Sequence, residues 1–189
     1  MYNNKLEYST VYLAGPIDYA KDHGVKWRTE ITEDLSKMGI LVLDPTNKPG
    51  GLISETTTEQ SKINKYKKEK DWNSLCKFMK DIRRTDLRLV DMSDFIIALI
   101  DTDIHMCGTY DEIFTAEDQQ KPVLFIVPNG IESLSSWMYS VINPAEVFNS
   151  VDECINYIKN IDNETVTIDR RWVLVKKELM KMAMENNNA

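Results

Sequence analysis

A chain of 189 residues with 42% hydrophobic content is long enough for one domain with a sizeable core. Its net charge of -7 and isoelectric point near 5.0 oppose a nucleic-acid partner, because affinity for a phosphate backbone rests on Lys and Arg displacing counterions. The longest apolar run, FIIALI at 95–100, is far shorter than the ~20 residues of a membrane helix, and MYNNKLEY has no signal-peptide core, so a soluble, cytoplasmic protein is expected.

In chain order, TVYLAGP (10–16) reads as a strand: β-branched and aromatic, apolar on both alternating faces, and closed by Gly-Pro. Residues 25–38 follow with Trp27, Ile31, Leu35 and Met38 at helical spacing. ILVLDP (40–45) is a second strand. The segment 46–71, TNKPGGLISETTTEQSKINKYKKEKD, is polar and too long for an ordinary connection, which marks it as a mobile lid or a disordered insert. Its Lys run at 62–70 reads as a solvated face. A helix at 72–92, a strand DFIIALID (94–101), a helix at 109–120 and a strand PVLFIVP (122–128) come next. A short strand at 145–148 and a helix at 151–160 complete the repeat. The tail, from Thr165, carries Trp172, Val175, Leu179 and Met182 as an amphipathic helix and ends in ENNNA, expected to fray.

Alternating strands and helices predict a doubly wound α/β domain with a five-stranded parallel sheet. It is expected over 1–163, with 164–189 as a helical tail. In the common order 2-1-3-4-5, a ligand crevice opens beyond the carboxyl ends of strands one and three. Gly15, Pro16, Ile17 and Asp18 are delivered there from the first strand, and Asp101 to Gly108 from the third. Tyr12 points toward the same place.

Glu112 has two readings. Thr109-Tyr-Asp-Glu112 satisfies the capping box, in which Thr109 and Glu112 answer each other's backbone amides. Helix-terminal amides also favour negative charge, so the same carboxylate could stay ionised and act as a nucleophile, with the small Ala116 beside it. Asp86 occupies an apolar position in the stripe Leu75, Met79, Ile82, Asp86, Leu89, where a carboxylate needs a partner. It is either an ion pair with Arg83 or Arg84, or a proton donor or base-binding group of raised pKa. Trp27, beside Arg28, reads as core. Cys76, Cys107 and Cys154, with no CxxC, read as packing residues in a reducing compartment. His105 and Cys107 alone are too few for zinc. No GxGxxG or GK[ST] is present, so neither a dinucleotide nor a P-loop site is indicated.

VYLAGPI (11–17), the pair Asp86 and Asp94, CGTYDEIFTA (107–116), KPVLFIVP and AEVFNSVDECINYI (145–158) together resemble the nucleoside 2-deoxyribosyltransferase family. The resemblance implies a flavodoxin-like fold. It also implies cleavage of the N-glycosidic bond of a 2′-deoxynucleoside, with the sugar passed to another base or to water and no metal or organic cofactor. By position, Glu112 would be the nucleophile, Tyr12 would hold it, and Asp86 would contact and protonate the leaving base. Gly15, Pro16, Asp18, Gly108 and Thr109 would line the substrate. Asn143 would reach the sugar of a neighbouring subunit in a homo-oligomer, a dimer or larger.

Two departures from the family pattern bear on substrate. Met106 stands where transferases of this family often carry an acid. Related 5′-monophosphate N-hydrolases hold phosphate with Ser and Arg in the first-strand turn, where this chain has Pro16 and Asp18, and an anion at Asp18 disfavours phosphate. A nucleoside is therefore favoured over a nucleotide. The alternatives are a deoxynucleoside 5′-monophosphate N-hydrolase and a non-catalytic nucleoside-binding protein.

Overall fold

The computed structural model describes residues 4–50 and 52–187. Strands β1 (Thr10–Ala14), β2 (Leu41–Leu43), β3 (Phe95–Leu99), β4 (Val123–Ile126) and β5 (Val147–Phe148) form one sheet in the order β2-β1-β3-β4-β5. Every pairing is parallel. This is the doubly wound, flavodoxin-like arrangement expected from the sequence, and it puts the reversal of strand order between β1 and β3.

Strand alternation sorts side chains to two cores. Val11, Leu13, Phe95, Ile97, Leu124 and Ile126 face α1 (Val25–Lys37) and α5 (Val151–Asp162), meeting Ile31, Leu35, Ile155 and Ile158. Tyr12, Ala14, Ile96, Ala98, Val123 and Phe125 face the other way. There they meet Leu89 and Val90 of α3 (Trp72–Met92) and Ile113 and Ala116 of α4 (Cys107–Asp118). Tyr12, Asp86 and Glu112 therefore belong to one face because of period-two and period-3.6 placement alone.

The segment 46–71 is neither bare loop nor detached. It contains α2 (Thr57–Glu69), which packs on α3 and buries Gln60 and Ile63. Its Lys62, Lys65, Lys67, Lys68 and Lys70 are exposed, as a solvated face requires. Gly51 of the insert lies outside the described residues, as do the last two residues of ENNNA.

The C-terminal segment departs from the single helix expected from Thr165. Helix α6 is Lys176–Asn187, and Trp172 precedes it. Trp172 is buried with its ring 5.0 Å from that of Phe95. The apolar spacing was shared between an extended anchor and a helix, which periodicity cannot separate. Leu179 and Met182 are exposed. Of the cysteines, only Cys154 packs in the core; Cys76 and Cys107 are exposed, and all three are free thiols.

Candidate active site

Tyr12 sits in the middle of β1 with its side chain on the α4 face, fully buried. Its hydroxyl donates to Glu112 Oε1 at 2.7 Å. Glu112 is itself 9% exposed. The bond joins residues a hundred apart in sequence, so it is a product of the sheet topology.

The capping box does not form. Helix α4 begins at Cys107 with Met106 at its N-cap and no side-chain cap, so Thr109 lies inside the first turn and Glu112 in the second. Glu112 is then too deep for the terminal amides, and its carboxylate turns to Tyr12 instead. Its environment also reverses the expected electrostatics. Burial, and then the charge of Asp86, pushes the Glu112 carboxyl well above its ordinary range, while the Tyr12 bond and Arg28 oppose the rise. Tyr12 is pushed up by burial and by Glu112, so it remains a donor. Ala116 is buried in the core on the same helix face. Open space is found at Gly108, where an added Cβ would meet nothing within 4 Å.

Asp86 is 4% exposed, as its place on the apolar stripe requires. Neither neighbouring arginine is its partner. Arg83 forms a two-pronged pair with Asp111 at 2.7 and 3.0 Å, and Arg84 reaches Asp81 at 2.6 Å. Both arginines point outward, being on the solvent side of α3. The cation that meets Asp86 is Lys48, from the insert: its Nζ lies 2.6 Å from Asp86 Oδ1, with the Lys48 side chain fully buried. The contact is Coulombic rather than a directed hydrogen bond, because neither atom finds a well-aligned partner. Glu55, also from the insert, places Oε1 4.0 Å from Lys48 Nζ, and the charge of Asp86 acts on it.

The turn after β1 is built on Arg28. This guanidinium, fully buried, donates to the carbonyls of Leu13, Gly15 and Gly24 at 3.3, 2.9 and 2.8 Å and lies 3.6 Å from Asp44. Gly24, at φ 69°, allows the chain to fold back over it; a Cβ there would collide with the guanidinium. Gly15 is held against Trp27, whose ring an added Cβ would meet at 2.8 Å, which accounts for both the glycine and the core position of Trp27. Pro16 and Ile17 are buried, and Asp18 is exposed with Oδ1 accepting from Gln60 Nε2 of α2 at 2.8 Å.

Other residues singled out in the sequence lie apart. Asp94 accepts from the Thr10 amide at 2.7 Å and pairs with Lys176 at 2.8 Å, which fixes it at the amino end of the sheet. Asn143 caps a short turn by accepting from the Ala145 amide at 3.2 Å. Met106 is buried in the core. His105 is exposed beside Tyr19, and among the described residues no group of three His, Cys, Asp or Glu could hold a metal. Nor is any helix among them long and apolar enough to cross a membrane.

Lys48, Glu55, Gln60 and Arg28 were not legible as site residues. One signal was available for Arg28: it shares a helical face with Ile31 and Leu35, both buried. For Lys48 the only signal was indirect, since a carboxylate on an apolar stripe demands a cation from somewhere.

The family profile described as nucleoside 2-deoxyribosyltransferase matches residues 11–163. The chain belongs to that family. It is thereby a pentosyltransferase, an enzyme of nucleoside deoxyribosyl transfer. Two solved structures share the fold. A 2-desoxiribosyltransferase from Leishmania mexicana is 16% identical at a TM-score of 0.53, covering 80% of this chain and 97% of its own. A 2-deoxyribosyltransferase from Bacillus psychrosaccharolyticus is 17% identical at a TM-score of 0.55, covering 79% and 92%. No curated protein matches the chain at a significant level.

Proposed function

We propose that this pentosyltransferase breaks the N-glycosidic bond of a 2′-deoxynucleoside by attack of Glu112 on the anomeric carbon and passes the deoxyribosyl group to another nucleobase. The observation that carries the reading is the 2.7 Å bond from Tyr12 to Glu112, in a buried setting that also feels the charge of Asp86. An oxocarbenium-like transition state draws a carboxylate from below, and Tyr12 aims one oxygen while leaving the other free.

The step balances as follows. A Glu112 oxygen bonds to C1′ as the C1′–N bond breaks; the electron pair stays on the base nitrogen, which takes a proton from the Asp86 side. A second base then attacks C1′, releases Glu112 and returns a proton, with overall retention. Burial disfavours the Glu112 anion in the ligand-free site, so its carboxyl gives its proton to solvent before attack, and positive charge developing on the sugar then favours the anion.

Within this reading, Gly15, Pro16, Gly108 and Thr109 border the sugar and base, and Asn143 serves the sugar of a neighbouring subunit. The Asp18 carboxylate at the β1 turn favours an uncharged 5′-hydroxyl over a phosphate.

Incubation with a 2′-deoxynucleoside and a foreign base, followed by chromatography, tests it. A swapped nucleoside is expected, with the deoxyribosyl group recoverable on the Glu112 peptide after rapid quenching. Free deoxyribose alone would make the protein a hydrolase, and unchanged nucleoside would refute catalysis.

A further inference from the structure

Lys48, Glu55 and Asp86 meet near Glu112, and the first two come from the segment between β2 and α3. We propose that Lys48 and Glu55 are positioning residues that set the protonation of Asp86, so that the Asp86 and Glu55 carboxyls hold one proton between them, give it to the departing base and recover it from the incoming one. This rests on the transfer reading above.

Charge counting in a buried space motivates it. The side chains of Lys48, Asp86 and Glu55 are 0%, 6% and 16% exposed. Lys48 Nζ lies 2.6 Å from Asp86 and 4.0 Å from Glu55, so the two buried carboxyls share one ammonium. Arg28 is engaged by Asp44 at 3.6 Å, which leaves Lys48 as the cation at this pair; it cannot neutralise two carboxylates, whereas one cation, one carboxylate and one carboxylic acid sum to zero. The groups facing this pair are Lys48 from the insert, Arg28 from α1, and Glu112 and Tyr12 from α4 and β1. Burial, and then the Asp86 charge, raises the Glu55 carboxyl to about 8, against the pull of Lys48 and Arg28. Asp86 is raised by burial, with the charge of Lys48 opposing. Because the ammonium lies nearer Asp86 and favours its ionised form, the resting proton belongs on Glu55.

During cleavage that proton crosses to Asp86 and then to the base nitrogen that keeps the C1′–N electron pair. Both carboxyls are then ionised, and Lys48 holds the pair together. When the incoming base attacks C1′, its N–H proton returns by the same route.

Two measurements on the full chain test this. In 13C-carboxyl NMR of the ligand-free protein, Glu55 should titrate near 8 and fall toward the ordinary carboxylate range in Asp86→Asn. Titration of Glu55 in the ordinary range in the wild type would overturn the proposal. In kinetics, Glu55→Gln should lower kcat for nucleosides by about tenfold or more with KM held within about threefold. It should spare a 4-nitrophenyl 2-deoxyriboside, whose phenolate leaves without a proton. The alkaline limb of kcat against pH should move to lower pH in Glu55→Gln, where Asp86 is left alone beside a cation. It should move to higher pH in Lys48→Met, where the cation is gone. Limbs that stay in place, or equal losses on both substrates, would overturn it. A wild type that leaves every deoxynucleoside intact would instead overturn the function on which it rests.

Discussion

Arg28 Nη2 donates to Gly15 O at 2.9 Å and so ties helix α1 to the turn that closes β1. The same guanidinium serves Leu13 and Gly24 and faces Asp44, so one buried side chain organises the carboxyl end of β1. Arg28→Met should leave three carbonyls and a carboxylate without their donor. The expected cost is about 3 to 5 kcal/mol, read as a lower midpoint in urea unfolding. Arg28→Lys should recover only part of it, because an ammonium lacks the planar fork.

Glu112→Gln should remove transfer activity by at least about a thousandfold while keeping the fold, since an amide can accept from Tyr12 but cannot bond covalently to C1′. Steady-state rates beside thermal melts separate the two effects. Activity within tenfold of wild type would rule out nucleophilic attack by this residue.

Tyr12→Phe should lower kcat by about ten- to a hundredfold, because Glu112 loses its aim and a bond that favours its ionised form. On the proposed mechanism Glu112 must be ionised to attack, so activity should rise with pH through its pKa. Losing a bond that lowers that pKa should move the acid limb of kcat against pH to higher pH. An unmoved limb would show that Tyr12 does not act on Glu112.

Stability should fall as pH rises. Glu55 and Glu112 both have folded-state pKa values raised above the ordinary 4.5 of an exposed glutamate. Their stabilising contribution is full below that value and is lost as pH climbs through the folded values, which for Glu55 means toward about 8. Melting temperature should decline across this window, and Glu55→Gln should flatten the decline. A wild-type melting temperature that rises from pH ~5 to ~8 would contradict the sign.

Trp172→Ala should cost about 3 to 5 kcal/mol in chemical unfolding, because the indole packs against Phe95 at 5.0 Å in the core. Turnover of the remaining folded enzyme should be unchanged, since Phe95 lies on the sheet face opposite Tyr12.

How far the sequence was legible depends on the range of the interactions. Strands such as DFIIALID declared themselves because a parallel strand is apolar on both faces, and that property is local. Asp86 stood out as a polar interruption of an apolar stripe, and it is indeed buried. Its partner was misassigned, because Arg83 and Arg84 are near in sequence but face solvent, whereas Lys48 arrives through tertiary structure. The Thr109 to Glu112 spacing suited a cap, and only the start of α4 at Cys107 shows that the motif lies too far inside the helix. Lys48, Glu55 and Gln60 were hidden in a run whose polarity, read alone, signals solvent.

Lys48, Glu55 and Gln60 all ride on one contiguous stretch spliced between β2 and α3, so on the proposed mechanism the tuning of the site is modular. Exchanging that cassette for another of equal span would rewrite which leaving groups are accepted while the sheet and the Tyr12 to Glu112 couple stay as they are.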